Sequence, residues 1–273
     1  MPALDLSIVI VSFNAAQDLK NCLASLRAAP PSATHEVIVV DNGSRDDSVA
    51  IARAAGATVI ENGTNLGFAR ANNAGIRASR GDNVLMLNSD TIVPNGAPGV
   101  PGAIDALLAE LAADASVAVV GPRLVDGRGR AELSFGRMIG PLNELRQKRR
   151  AAGDVESLTR RRRYPDWVSG AALLVRRADA EAVGLLDERY FMYTEDVDFC
   201  AAVRARGRRV LFTPDVEIVH LRGRSAAAAP AATEEAYRRS QIAFYEKHHP
   251  LWAPVLRLYL KLRGRPIQRS PDV

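Results

Sequence analysis

Val84-Leu85-Met86-Leu87-Asn88-Ser89-Asp90-Thr91 is the stretch on which the reading of this chain turns. Four apolar residues stop abruptly at Asn88, Ser89 and Asp90. An apolar run of that length reads as a strand buried on both faces. In an open α/β sheet, ligands sit in the crevice outside the carboxyl ends of such strands. A carboxylate there, among small polar neighbours, suits a hard divalent cation that also grips substrate phosphates. Asn, Ser and Asp are also ordinary turn formers, so the segment alone also reads as a strand followed by an Asx turn. The flanking sequence decides between the two.

Upstream, strand and helix alternate regularly. Leu6–Val11 (LSIVIV) predicts a first strand, and Asn14 is placed to cap a helix with Gln17 as its capping-box partner. Leu19, Cys22, Leu23 and Leu26 give that helix its apolar stripe. A second strand, Val37–Val40, stops at Asp41, Asn42, Gly43 and Ser44. A second helix to about Gly56, a short strand at Val59 and Ile60, and a third helix opened by Asn65–Gly75 and closed near Gly81 lead into Val84. This alternation argues βαβ units and a mostly parallel sheet. The polar clusters Ser12–Asn14, Asp41–Ser44 and Asn88–Asp90 then share one sheet edge. No G-x-G-x-x-G follows the first strand and no G-x-x-x-x-G-K-[ST] occurs, which removes the main support for a dinucleotide site or a P-loop.

Downstream, a Gly/Pro-rich loop (Pro94–Gly102) precedes a helix from Ala103 to about Ala113, a strand Val117–Val120 and a tight turn at Asp126-Gly127. Arg146–Arg163 is dense in Arg and Lys, as a solvated loop or an anion-binding segment would be. Trp167–Arg176 reads as a turn feeding a buried strand, with Gly170 allowing close backbone approach to a ligand. Tyr190–Phe199 leads into a helix ending at Gly207, with Thr194 as N-cap. Glu195, Asp196 and Asp198 occupy its first turn, where the helix dipole favours acids. Strands Val210–Phe212 and Val216–Val219 follow, the second ending at His220, then Ser225. An Ala-rich linker, Ala226–Ala232, joins a helix Glu234–His248 and a tail, Leu251–Arg265, that mixes Leu, Trp and Tyr with Arg and Lys.

The 273 residues have room for one large α/β domain or two modest ones. Lys and Arg number 36 against 31 Asp and Glu, and the excess concentrates in Arg146–Arg163 and the tail, which favours anionic partners. The basic clusters lack interleaved aromatics or a recognition motif, which argues against nucleic acid. No apolar stretch reaches the length of a membrane span, and the N-terminus shows no signal pattern. Cys22 and Cys200 have neither metal nor disulfide spacing, as suits a reducing cytoplasm.

In order, the chain carries IVIVSFN (Ile8–Asn14), VVDNGSRDDS (Val39–Ser48), NLGFARANNAGI (Asn65–Ile76) and LNSDT (Leu87–Thr91). GAALLVRR (Gly170–Arg177), YTEDVDFC (Tyr193–Cys200) and HLRGRS (His220–Ser225) follow. Together these motifs resemble the family 2 glycosyltransferases, inverting enzymes of the GT-A fold, and most of all their bacterial rhamnosyltransferase-like members. The resemblance implies an α/β fold with an open mixed sheet flanked by helices. A glycosyltransferase domain is expected over residues 1–225, with a nucleotide-binding half to about 120 and an acceptor half beyond it. Residues 226–273 then form a C-terminal helix and basic amphipathic tail.

The resemblance also implies roles. The donor is a nucleotide-diphosphate sugar, with Asp41 accepting from the imide N–H of thymine or uracil and Ser12, Asn14, Asn65, Gly67, Asn88 and Ser89 bordering the nucleotide. Asp90 matches the metal-binding carboxylate of the family's DXD-like motif, whose first Asp is here Asn88, a neutral and weaker ligand. His220 resembles a downstream histidine that completes the site for Mn2+ or Mg2+, and Ser225 is expected at the diphosphate. Asp196 matches the base that deprotonates the acceptor hydroxyl, with Glu195 on sugar hydroxyls or orienting the site. A helix N-terminus lowers a carboxylate's pKa, so desolvation by Trp167 and Tyr193, or the charge of Asp198, has to offset it. Trp167, Gly170 and Tyr193 are expected to shape the sugar pocket.

The expected activity is transfer of a sugar, L-rhamnose from dTDP-rhamnose first, to a glycan or polyprenyl-diphosphate-linked acceptor in cell-surface polysaccharide synthesis. UDP-hexose or UDP-galactofuranose transfer, and a non-catalytic nucleotide-sugar-binding protein, stand as alternatives. A sugar-1-phosphate nucleotidyltransferase would want a Gly-rich phosphate loop where SFNAAQ stands. The expected location is the cytoplasm, with peripheral association at the inner face of the membrane through the basic segments.

Overall fold

The computed structural model describes residues 4–95, 101–140, 143, 154–221 and 230–263. Strands β1 (Leu4–Ser12), β2 (His35–Asp41), β3 (Thr58–Glu61) and β4 (Gly81–Asn88) are parallel, in the order β3-β2-β1-β4. Helices α1 (Ala16–Ala28) and α2 (Ser48–Ala54) cover one face and α3 (Phe68–Ala78) the other. That arrangement is why β1 and β4 carry unbroken apolar runs. Ile8, Ile10, Leu85 and Leu87 enter the core under α1, while Val9, Val84 and Met86 enter the core under α3.

Then follow β5 (Thr91–Ile92), α4 (Ala103–Ala113), β6 (Val117–Val125), β7 (Phe135–Gly136), α5 (Val155–Leu158), β8 (Trp167–Val168), β9 (Ala172–Arg176), α6 (Arg177–Ala182), α7 (Glu195–Ala205), β10 (Arg209–His220), α8 (Pro230–His248) and α9 (Ala253–Leu262). The eight-stranded sheet has the order β3-β2-β1-β4-β9-β6-β10-β5. β9 runs antiparallel to both β4 and β6, so the sheet is mixed, as the resemblance implies. β7 and β8 form a separate antiparallel pair.

Several local expectations change. Asn14 does not cap α1. It sits in the left-handed region at φ 49°, and its side-chain oxygen accepts from Arg45 N at 2.8 Å. The free N–H at the head of α1 is satisfied instead by Asp46, whose Oδ2 accepts from Ala16 N at 2.9 Å. The two strands expected at Val210–Phe212 and Val216–Val219 are one, β10, with a register shift between Thr213 and Glu217. Pro214 lies at that shift, where its missing N–H tolerates a broken ladder. The turn after β6 spans Asp126–Arg130, closed by Asp126 N on Arg130 O, with left-handed Gly129 in it. Residues 226–229 of the Ala-rich linker, 146–153 of the Arg146–Arg163 segment and 96–100 of the Pro94–Gly102 loop lie outside the described residues, and the end of the expected linker, from Pro230, is already the start of α8.

α8 and α9 do not hang free of the sheet domain. Phe244 and Tyr245 of α8 and Ala253 of α9 are buried with Tyr190 and Val197, which flank the start of α7.

Candidate active site

The ladder of the parallel strands aligns three polar clusters on one edge. Ser12 is paired with Asp41, and Val11 with Asn88, so the ends of β2, β1 and β4 stand side by side. Asp41 is buried at the end of β2. One carboxylate oxygen accepts from Gly43 N at 3.1 Å and Ser44 N at 3.0 Å, while the other, Oδ1, is buried with no partner. A carboxylate held rigidly by one oxygen and presenting the other is an acceptor waiting for a donor.

Asn42 organises the neighbouring loop. Its side chain donates to Asn65 Oδ1 at 2.8 Å and accepts from Leu66 N at 3.0 Å. Asn65 Oδ1 also accepts from Gly67 N at 3.0 Å, so the Asn65 oxygen is used in building the loop. Gly67 is at φ 87°, and a Cβ there would fall 2.5 Å from the Phe191 carbonyl oxygen. Only glycine lets this loop lie against the segment that leads into α7. Ser12 is buried, with its Oγ 3.4 Å from Ser48 Oγ.

At the end of β4, Asn88 donates its N–H to the Ala171 carbonyl at 2.9 Å, and its side-chain oxygen is buried without a partner. Ser89 and Asp90 follow in a partly buried turn. Thr91 pairs with His220 across the antiparallel β5–β10 ladder, and Leu221 N donates to Asp90 O at 2.8 Å. This pairing brings His220 Nε2 to 3.3 Å from Asp90 Oδ1. The other ring nitrogen, Nδ1, lies 3.2 Å from Glu132 Oε2. Burial alone would lower the His220 pKa, but the hydrogen bonds and charges of Asp90 and Glu132 outweigh it and push it up to about 9.

These residues fit a divalent cation. A carboxylate oxygen and an imidazole nitrogen face each other, and a second carboxylate holds the far nitrogen, as outer partners orient metal-bound histidines. Among the described residues no three His, Cys, Asp or Glu side chains converge as a ready-made cage. Glu132 escaped the sequence reading because it stands in no motif, 88 residues from the histidine it orients.

The third part of the site is the head of α7. Tyr193 and Thr194 both adopt left-handed backbone, at φ 70° and 66°. Such values are costly for a β-branched residue and concentrate where geometry is functionally constrained. Thr194 precedes the helix as expected, but its hydroxyl makes no cap bond and is buried without a partner. Asp196 is partly buried and its Oδ2 accepts from Gly170 N at 2.8 Å. A Cβ at residue 170 would stand 3.3 Å from Asp196 Cβ, so the close approach that Gly170 permits is to Asp196. Ala171, the next residue, holds Asn88, which links the ends of β4 and α7 through one short segment.

Desolvation raises the pKa of Asp196 against the backbone bonds from Gly170 and Val197 that lower it. Glu195 is more deeply buried, and its Oε2 has no partner. Burial first, and then the adjacent Asp196 charge, push its pKa well above the usual carboxylate range. Asp198 does not supply that effect. It turns away, accepting from Tyr190 Oη at 3.2 Å, Lys247 Nζ at 2.8 Å and His248 Nε2 at 2.6 Å, and so fastens α8 to α7.

Trp167 is partly buried and donates its Nε1–H to Arg137 O at 2.9 Å, so it contributes its ring rather than its N–H. Tyr193 meets Tyr237 of α8 edge-on, ring centroids 5.8 Å apart. Ser225 lies outside the described residues.

A buried carboxylate with a free oxygen, a carboxylate–histidine pair and a desolvated acid gather at the strand ends of a mixed sheet, the arrangement expected of a GT-A glycosyltransferase. A mannosyltransferase from Pyrobaculum calidifontis, solved with GDP-Man and Mn2+, superposes over 96% of this chain and 70% of its own with a TM-score of 0.64 at 17% identity. TarS of S. aureus, solved with UDP, matches over 79% of this chain and 60% of its own, with a TM-score of 0.55 at 19% identity. The sequence model of glycosyl transferase family 2 matches residues 7–180, and the chain belongs to that family. The N-acetylglucosaminyl-diphospho-decaprenol L-rhamnosyltransferase of Mycobacterium tuberculosis is 32% identical over 97% of this chain and 93% of its own.

Proposed function

We propose that this enzyme moves L-rhamnose, with inversion, from dTDP-rhamnose to a polyprenyl-diphosphate-linked glycan. The observation that carries the choice of sugar and acceptor is the 32% identity, over nearly the whole chain, to a rhamnosyltransferase named for a decaprenyl-diphosphate acceptor. The unpartnered Oδ1 of Asp41 supports a pyrimidine donor, since thymine and uracil present an imide N–H to such an acceptor. Ser12, Asn14, Asn65 and Gly67 shape the wall against which the nucleoside lies, and Asn88 and Ser89 border the diphosphate.

Asp90 and His220 would hold a divalent cation, Mn2+ or Mg2+, which when bound neutralises charge building on the leaving diphosphate. The imidazole ligand favours Mn2+. Asp196 is the base. Its desolvation keeps its proton affinity high despite the helix N-terminus, and the N–H groups of Gly170 on Oδ2 and Val197 on Oδ1 hold the carboxylate in place for the acceptor hydroxyl. Glu195, whose pKa burial and the adjacent Asp196 charge raise and whose Oε2 has no partner, binds sugar hydroxyls or orients the site. Trp167, Gly170 and Tyr193 bound the sugar pocket. On this reading the enzyme works in the cytoplasm, peripherally at the membrane that carries its acceptor. Among the described residues no helix is long and apolar enough to cross that membrane.

The test is transfer to a synthetic N-acetylglucosaminyl-diphospho-polyprenol with Mn2+, offering dTDP-rhamnose, UDP-hexoses and UDP-galactofuranose separately. Product from dTDP-rhamnose alone is expected. Product only from a UDP-sugar would reassign the donor, and donor binding without any product would make the protein a non-catalytic binder.

A further inference from the structure

The C-terminal helix α9 has an apolar face that nothing among the described residues covers. Ala253 and Leu260 are buried and Leu256 packs beside them against α8, which uses one side of the helix. Leu251, Trp252, Val255, Leu258, Tyr259 and Leu262 lie on a neighbouring side at 50% to 88% exposure. Their spacing of i, i+1, i+4, i+7, i+8 and i+11 makes one continuous stripe along the helix and its lead-in turn. Single exposed apolar residues are normal, but a contiguous stripe of six marks an interaction surface.

The chemistry of the stripe selects its partner. Residues 251–263 contain no acid and three cations, Arg257, Lys261 and Arg263. On a helical projection Arg257 and Lys261 flank the stripe on one side and Arg263 on the other. Arg257 is shared with Glu246 on α8, and Arg263 lies over the Tyr259 ring at 5.4 Å. Trp252 and Tyr259 line one long edge of the stripe, and they are residue types that settle at the headgroup level. Cations beside such a stripe extend their charge to the headgroups while their stems lie along apolar surface. A protein partner of equal apolarity would not require the acid-free rim.

We infer that α9 is a membrane-docking helix that lies in the interface of an anionic bilayer with Leu251, Val255, Leu258 and Leu262 inserted. The proposed acceptor is lipid-linked, and on that reading a bilayer is the surface this enzyme must reach. α9 packs on α8, and Lys247 and His248 of α8 grip Asp198, two residues after Asp196. Docking through α9 therefore sets the distance of the active site from the membrane plane.

The full chain is floated with phosphatidylcholine vesicles with and without phosphatidylglycerol, in the absence of donor and acceptor. Recovery with the anionic vesicles, reduced by added salt, is expected. The Leu258→Glu/Leu262→Glu variant is expected to bind about tenfold more weakly at unchanged melting temperature. A Lys261→Glu/Arg263→Glu variant is expected to lose the preference for anionic lipid. Failure of the wild type to bind, or binding by both variants equal to wild type, overturns the inference. So does a wild-type dimer that the leucine variant dissolves, because the stripe would then belong to a second copy. With no substrate present, failure of the acceptor reading in the transfer assay leaves this result untouched.

Discussion

Gly170 N donates to Asp196 Oδ2 at 2.8 Å, and the space beside the glycine where a Cβ would stand is closed by Asp196 Cβ at 3.3 Å. Asp196 and the turn before β9 are fitted to each other. Asp196→Asn is expected to reduce kcat by at least about a thousandfold, within the range for loss of a general base, while leaving dTDP affinity unchanged. Gly170→Ala is expected to lower kcat by about tenfold through displacement of the carboxylate, with little change in KM for the donor. Steady-state kinetics with calorimetry of the nucleotide checks both, and normal turnover by Asp196→Asn sinks the assignment.

The raised pKa values of Asp196 and Glu195 make a prediction about pH. As the proposed base Asp196 would act when deprotonated, so kcat/KM should rise with pH along a limb lying above the ordinary carboxylate pKa of about 4. Glu195→Gln removes the neighbouring acid and is expected to flatten the pH dependence of stability. The sign follows from proton binding. Both groups hold protons more firmly folded than unfolded, so their contribution is fully present below about pH 4 and is lost as pH rises through the raised folded values. Melting temperatures of wild type and Glu195→Gln should therefore diverge as pH rises, with the variant the more stable at pH 8. Parallel curves would show that Glu195 is not buried as a proton-binding group.

Asp90 and His220 should act as one unit toward a metal. Titration of the protein with Mn2+ and dTDP is expected to show metal-dependent nucleotide binding, weakened at least about tenfold in Asp90→Asn and in His220→Ala. Glu132→Gln should weaken it less, because it removes only the group that orients the imidazole. Equal nucleotide binding with and without Mn2+ in the wild type would remove the metal from the proposed mechanism.

Asp41→Asn replaces the unpartnered oxygen or turns an amide toward the base. It is expected to cost about 1–3 kcal/mol in dTDP and UDP binding, the price of an unmatched buried polar contact. GDP binding should be weak in both proteins. Tight GDP binding by the wild type would mean that Asp41 does not read the base.

Asp198 accepts three hydrogen bonds from Tyr190, Lys247 and His248. Asp198→Ala is expected to destabilise the protein by about 2 kcal/mol, discounted because Lys247 and His248 are partly exposed and Lys247 keeps Asp187. Denaturant melts measure it. An unchanged midpoint would mean that contacts other than those of Asp198 hold α8 in place.

What the sequence determined by itself is local and periodic. Unbroken apolar runs such as Ile8–Val11 and Val84–Leu87 can only be buried from both sides, so the sheet core and its flanking helices were legible. The polar residues that end those runs, Asp41 and Asn88–Asp90, had to collect on one edge once the strands were parallel. Tertiary structure decided which distant groups complete each cluster. Glu132 reaches His220 across 88 residues, Asp196 reaches Gly170 across 26, and His248 reaches Asp198 across 50. None of these pairs has a spacing that chain geometry enforces, because each depends on how the antiparallel β9, the β5–β10 pairing and α8 are laid on the sheet. The same holds for α9, whose sequence shows apolar residues on two sides. Only the packing against α8 selects the side that is buried and leaves the other to face outward.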